Sequence, residues 1–242
     1  MAFEPTSKGN KHQLTKDQHF HMKAILRRFA NEAGKVKVTI KPFGTVSYLG
    51  VSNQRFLGKR AWSEETEKGV SKRIEDAFLR EVGRVEAGKP IENHAAISEY
   101  HLLWVLRYGY ALNPLDEQEI LPGLESHMDI ELEEAVEAMH KMPVRNGGKI
   151  AGRFAATLEI KDLLNNAENR AIYEGMRWNV VLSENKRFIS ADHYDRYLLV
   201  VVNPFLLLQA FSQEKPPYTA SAIEVDAYNT FSQAQALHFV FG

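Results

Sequence analysis

The 242-residue sequence is 44% hydrophobic and 25% charged, a globular composition on a chain long enough to bury a sizeable core. That excludes a collagen-like or wholly disordered chain, and the absence of cysteine excludes disulfides, thiolate metal sites and a cysteine nucleophile. The formal net charge of −1 hides a division: residues 1–60 carry twelve Lys and Arg against Glu4, Asp17 and Glu32, which makes +9 there and −10 in the remainder.

Residues 1–13 are polar and aperiodic and read as a flexible basic arm ahead of a single domain, 14–242. Thr15 and Gln18 fit a capping box and predict a helix over 15–31, with Phe20, Ala24, Ile25 and Phe29 near helical spacing. Lys35-Val36-Lys37-Val38-Thr39-Ile40 alternates as a half-buried strand, closed by Pro42 and Gly44. Ser63 opens a helix that stops at Gly88-Lys89-Pro90. Asn93 caps the next, whose apolar face is Ile97, Tyr100, Leu103, Trp104 and Tyr108.

The stretch 116–142 predicts one or two acidic helices broken at Pro122-Gly123, with nine acids and no Lys or Arg between Asp116 and Glu137. Asn146-Gly147-Gly148 is the clearest break, followed by a helix over 150–165. Beyond it, 176–182, 187–190 and 197–202 are β-rich runs, and a last helix spans 229–239. Helices early and strands late predict an α+β fold: a helix-rich first two-thirds, with a small, mainly antiparallel sheet built from the early strand and the C-terminal strands. The run 197–211 is broken by Asn203 and Pro204, and the N-terminus shows no apolar leader. The expectation is a soluble, cytoplasmic protein with no membrane partner.

No phosphate loop, dinucleotide fingerprint, nucleophile elbow or zincin helix is present, so any chemistry comes from residues gathered by folding. His19 and His21 stand two apart, which on a helix turns them to different sides and denies one ion both rings. Asp192-His193-Tyr194-Asp195 follows a predicted strand. Its carboxylates suit a divalent cation or the orientation of a histidine, or else an Asx turn. Glu75 and Arg107 lie on two predicted helices that, as neighbours, would pair to hold their register. Arg27 and Arg28 offer charge to a phosphate.

Gln18-His19-Phe20 followed by Leu26-Arg27-Arg28-Phe29 resembles the opening of the family called domain of unknown function 4238. Ile74-Glu75, Arg107, the run Phe188-Ile189-Ser190-Ala191-Asp192 and Asn229 through Ala236 match its later motifs in order, over about residues 11–241. Met22 replaces the motif proline and His193-Tyr194 its Asn-Pro, which marks the chain as a divergent member. The resemblance implies one domain and no particular activity. It singles out Gln18, His19, Glu75, Arg107, Asp192 and Asn229.

Two functions follow as expectations. The first is a binding or interaction module, regulatory or conflict-related, with Gln18, Arg27, Arg28 and Arg107 toward a nucleic acid, a phosphate-containing ligand or a protein partner. In it Glu75, Arg107 and Asn229 form a structural polar network. The alternative is a phosphodiester hydrolase, with His19 and Asp192 catalytic and a divalent metal as its cofactor. A compact fold would also let the acidic 116–137 segment mask the basic first sixty residues.

Overall fold

The computed structural model describes residues 5–125, 127–140, 145–194 and 198–242. The chain enters through β1 (Asp17–His19) and a short α1 (Lys23–Arg28), then forms the hairpin β2 (Lys35–Ile40) and β3 (Thr45–Gly50). A 3-10 turn at Gln54–Phe56 leads into β4 (Leu57–Lys59), which returns antiparallel to β1. The alternation in β2 is realised, with Val36 and Val38 fully buried and Lys35 and Lys37 exposed. The helix expected over 15–31 is corrected. The Thr15 amide donates to Glu64, and the Gln18 side chain clasps the Trp62 peptide, so 17–19 pairs with 57–59 and helix begins only after Met22.

A π-type turn at Thr66–Ser71 leads into α2 (Lys72–Glu86), followed by α3 (His94–Leu112), whose Asn93 side chain accepts from the Ala96 amide at 3.1 Å. Helix α3 is apolar nearly all round, as a core helix must be. Tyr100, Leu103, Trp104, Arg107 and Tyr108 are all buried. Next come β5 (Gln118–Glu119), α4 (Ile130–His140), β6 (Arg145–Asn146), β7 (Lys149–Ile150), α5 (Gly152–Asn165) and α6 (Ala167–Gly175). Of the acidic stretch 116–142, α4 is helical, while 118–119 pairs as a strand; residues 126 and 141–144 lie outside the description. Gly147 and Gly148, at φ of 59° and 71°, turn β6 into β7.

The last third is β8 (Arg177–Leu182), β9 (Ser190–Ala191), β10 (Leu199–Asn203), β11 (Leu206–Phe211), β12 (Tyr218–Thr219), α7 (Ala222–Gln235) and β13 (Phe239–Phe241). The final helix starts seven residues earlier than expected, at a Ser221–Glu224 capping box, and stops at Gln235. The Phe-Val-Phe run after it forms a strand. Two four-stranded sheets result, β10-β11-β8-β12 and β3-β2-β13-β9, plus the β1-β4 pair and the small β5-β7-β6 sheet.

The α+β architecture stands, helix-rich early, with the early strands sharing a sheet with C-terminal β13 and β9. The single small sheet expected is four separate ones, and the β12–β8 pairing is parallel. Around α3 one large apolar core gathers Phe20, Ile25, Phe78, Trp104, Phe188 and Phe241 with the buried strands. A second, small one holds Ile150 and Phe154. No helix among the described residues is long and apolar enough to cross a membrane.

Candidate functional site

Three of the expected polar residues, Gln18, Glu75 and Arg107, are linked around Trp62, and His19 stands nearby. The Gln18 amide behaves as a spare peptide unit, donating to the Trp62 carbonyl at 2.7 Å and accepting from its amide at 3.2 Å. The Arg107 guanidinium donates to Glu75 at 2.6 Å and to Glu67 at 3.5 Å, and lies 5.0 Å from the centroid of the Trp62 ring. Trp62 Nε1 donates to the same Glu67 oxygen at 2.8 Å. Burial raises the Glu75 carboxyl, and Arg107 opposes that rise. His19 Nε2 sits 2.9 Å from the Val51 carbonyl, and burial, with Lys23 and Arg107 nearby, lowers its pKa.

Its neighbour His21 is enclosed altogether. The ring stacks on Trp104 with centroids 4.1 Å apart, and Nδ1 meets the Tyr100 hydroxyl at 2.5 Å. Burial pushes the imidazole down to about 3, with Arg107 contributing. The two histidines serve different neighbours, and because the segment is a strand and a bend, the helical geometry expected for the pair does not apply. Gln18 and Arg107, expected as binding residues, are almost wholly buried: Gln18 is engaged with the Trp62 peptide, and Arg107 bonds Glu75 and Glu67 while its Nε has no hydrogen-bond partner among the described residues. Arg28 pairs with Glu86, while Arg27 remains exposed.

Asp192 lies elsewhere and does different work. Its Oδ1 accepts from the Leu237 amide at 2.9 Å. Its Oδ2 accepts from the amides of His238 and Phe239 at 2.8 and 3.2 Å, and from the Tyr108 hydroxyl at 2.6 Å. Fully buried, it ties the end of α7 to the start of β13. No hydrogen bond joins it to His19, so the expected pair is not assembled. The local Asx turn is replaced by a tie across 45 or more residues of sequence. Asp195 lies outside the described residues.

Asn229 accepts from the Ile189 amide at 2.8 Å and donates to the Arg187 carbonyl at 2.9 Å, clamping the approach to β9. Among the described residues no three His, Asp or Glu side chains gather as metal ligands.

From the basic first sixty residues, Lys11 and Arg60 meet the acidic segment. Arg60 reaches Glu134 at 3.0 Å and Glu137 at 3.3 Å; Arg153 reaches Glu137 at 2.9 Å and also pairs with Glu133. The arm docks there from Pro5 on. The Ser7 amide and hydroxyl donate to Glu134 at 3.0 and 2.5 Å, Lys11 pairs with Glu131, and the Pro5 carbonyl accepts from Arg60.

The β2–β3 hairpin is left with free charge. Register places Lys37 opposite Tyr48 and Thr39 opposite Val46 on the outer face of β2 and the edge strand β3, and Phe43 at the tip is 89% exposed. No acidic residue occurs from 33 to 63.

Sequence reasoning missed Tyr108 and His238. Tyr108 reads as one more apolar position of a helix. His238 falls at the end of a predicted helix, although the alternation after it was the signal for a strand. Two concavities flank these elements: a cleft of about 390 Å³ between β10–β11 and α7, lined by Tyr218, Tyr228 and Phe231 among others, and a smaller one of about 200 Å³ beside Tyr108 and His238. Comparison with family models, with characterised proteins and with solved structures finds no match to this chain.

Proposed function

We propose that this chain is a non-catalytic binding module whose partner is single-stranded nucleic acid, held on the outer face of the β2–β3 hairpin. The observation that carries the reading is a surface with cations and rings and no acid. Lys35 and Lys37 stand exposed in line with Tyr48, Phe43 tops the hairpin, and Arg55 follows on the next turn. Unpaired cations release counterions from a phosphate chain, and an exposed ring is a stacking platform for any base. Elsewhere Arg107, Glu75, Asn229 and Asp192 are engaged within the fold. We further propose that the chain is a divergent member of the family it resembles, on the order and spacing of the shared motifs.

The test is fluorescence anisotropy with a labelled single-stranded oligonucleotide across a salt series. Binding should weaken linearly in log–log form, and replacing Lys35 and Lys37 together by Ala should reduce the slope by about 1 per lysine. Tyr48→Ala should cost about 1–3 kcal/mol of affinity. Binding indifferent to all three changes would remove the reading.

The hydrolase alternative keeps one supporting observation: a neutral-leaning His19 beside the Arg107–Glu67–Glu75 group. It requires turnover of a phosphodiester with an added divalent metal, lost in His19→Ala. No turnover with magnesium or manganese would leave the binding reading alone.

A further inference from the structure

The cavity beside α3 has a built polar edge. Tyr108 owns a single hydroxyl proton, and it is donated to Asp192 at 2.6 Å. Burial, with Asp192 beside it, raises the Tyr108 phenol far above its ordinary value, which keeps that proton in place. His238 Nδ1 lies 2.8 Å from the same phenol oxygen and 3.6 Å from Asp192 Oδ2. With the phenol proton committed, that contact is a hydrogen bond only if Nδ1 carries the proton. Nε2 of the neutral ring is then an acceptor, on a side chain 55% exposed. The Asp192–Tyr108 tie thus sets the tautomer of a histidine that neither the binding face nor the Arg107 group uses.

The cavity of about 200 Å³ is walled by Phe20, Leu57 and Leu112, with Gln54, Arg55 and His238 at its polar side. Its floor is firm: β4 packs so closely on α3 that a Cβ at Gly58 would stand 2.9 Å from the Ala111 Cβ. The Lys41 amide donates to the His238 carbonyl at 2.8 Å, which ties the cavity to the tip end of the hairpin. Arg55 is exposed and has no ion-pair partner among the described residues. An apolar slot with a free guanidinium and a fixed hydrogen-bond acceptor matches a sugar–phosphate that carries a donor hydroxyl. That donor is what separates ribose from deoxyribose.

We propose that this cavity holds one ribonucleotide unit, its phosphate on Arg55 and its 2′-hydroxyl donating to Nε2 of His238. The proposal rests on the nucleic-acid reading above and narrows it to RNA. The same chemistry is offered by a free ribonucleotide and by one residue of a strand, and the two are separable.

The test compares a short single-stranded oligoribonucleotide with the deoxyribo-oligomer of the same sequence, and 5′-AMP with its 2′-deoxy form, on the full chain. The expected result is an RNA preference of about five- to tenfold, the worth of one hydrogen bond. His238→Phe should abolish the preference, so that the affinities for the two oligomers converge. Arg55→Ala, an exposed change that spares the core, should weaken both oligomers.

Equal affinity for RNA and DNA, with both reduced by the Lys35/Lys37 changes, would overturn this inference and leave the nucleic-acid reading standing. Binding of neither oligomer, with 5′-AMP held in a His238-dependent way, would support the ribonucleotide site and overturn the nucleic-acid reading. Binding of none of the four would overturn both.

Discussion

Two groups of buried arginines stabilise this molecule in different ways. Arg107 lies inside the main core, among Trp62, Tyr100, Trp104 and Phe78, and its pairing with Glu75 and Glu67 spans α2, the turn before it and α3. Arg60 and Arg153 lie under α4, where the apolar support is Ile150 and Phe154 with a few partly buried neighbours. In the first place hydrophobic burial carries the stability and the ion pair sets register. In the second the ions themselves attach the element. A helix with Glu133, Glu134 and Glu137 in one turn repels itself until the two guanidiniums neutralise it. Buried charge therefore sets register in the core and fastens the α4 lobe.

The largest effect expected comes from the core side. Asp192→Ala removes a fully buried carboxylate and strands three backbone amides and the Tyr108 hydroxyl, at a cost of about 5 kcal/mol. The thermal midpoint should fall by about 10 °C or more; a loss of under two degrees would show that the tie is dispensable. Next is the lobe. Glu137→Gln weakens the bonds to Arg60, Arg153 and the Glu64 amide and should cost about 3 kcal/mol, confined to that region. Hydrogen exchange should accelerate in 130–140 and in the docked arm while α3 stays protected. Uniform acceleration would mean that core and lobe unfold as one.

Acid sharpens the contrast. In the unfolded chain an imidazole takes its proton near 6.5, whereas His21 in the fold does so only near 3, because it is buried. Between those values the unfolded state binds more protons. The His21 contribution is thus complete above pH 6.5 and is lost as pH falls toward 3, by about 2 kcal/mol at about pH 5. Glu75, raised by burial, acts in the opposite sense, its folded state holding a proton longer as pH rises. Chemical denaturation across pH should show the His21 loss, and His21→Phe should flatten it. The smallest effect belongs to the hairpin: Lys35→Ala with Lys37→Ala should change stability by under about 0.5 kcal/mol, so any loss of binding there reports the surface itself.

The sequence was most readable where local rules and tertiary demands agree. Asn93 caps α3 as its residue type and the apolar run after it require, and the Val36/Val38 alternation faces the core as a strand should. It misled where a distant partner outbid local propensity. Helical spacing from Phe20 to Phe29 is real, but the Trp62 peptide, 44 residues away, draws Gln18 into a strand. The Asn229–Phe239 run is helical only to Gln235, because Phe239–Phe241 completes a sheet between β2 and β9. Glu75 and Arg107 were legible as opposite charges on two helices expected to be neighbours. The partners of Asp192 were not, since none lies within forty residues of it.

By itself the sequence determined the class of fold, the helices around α3, the exposed and buried faces of β2, and the separation of positive from negative charge. All of these depend on residue type and short periodicity. Tertiary structure alone decided which charges remain available. Arg60 and Arg153 vanish beneath an acidic helix, while Lys35 and Lys37 stay open on the outer face of β2 and Arg55 on the turn after β3. It also decided that Asp192 orients His238 through Tyr108 and leaves His19 to other neighbours. The reason is that a side chain's chemistry is set by what surrounds it within a few ångströms, and those surroundings come from parts of the chain that no local pattern connects.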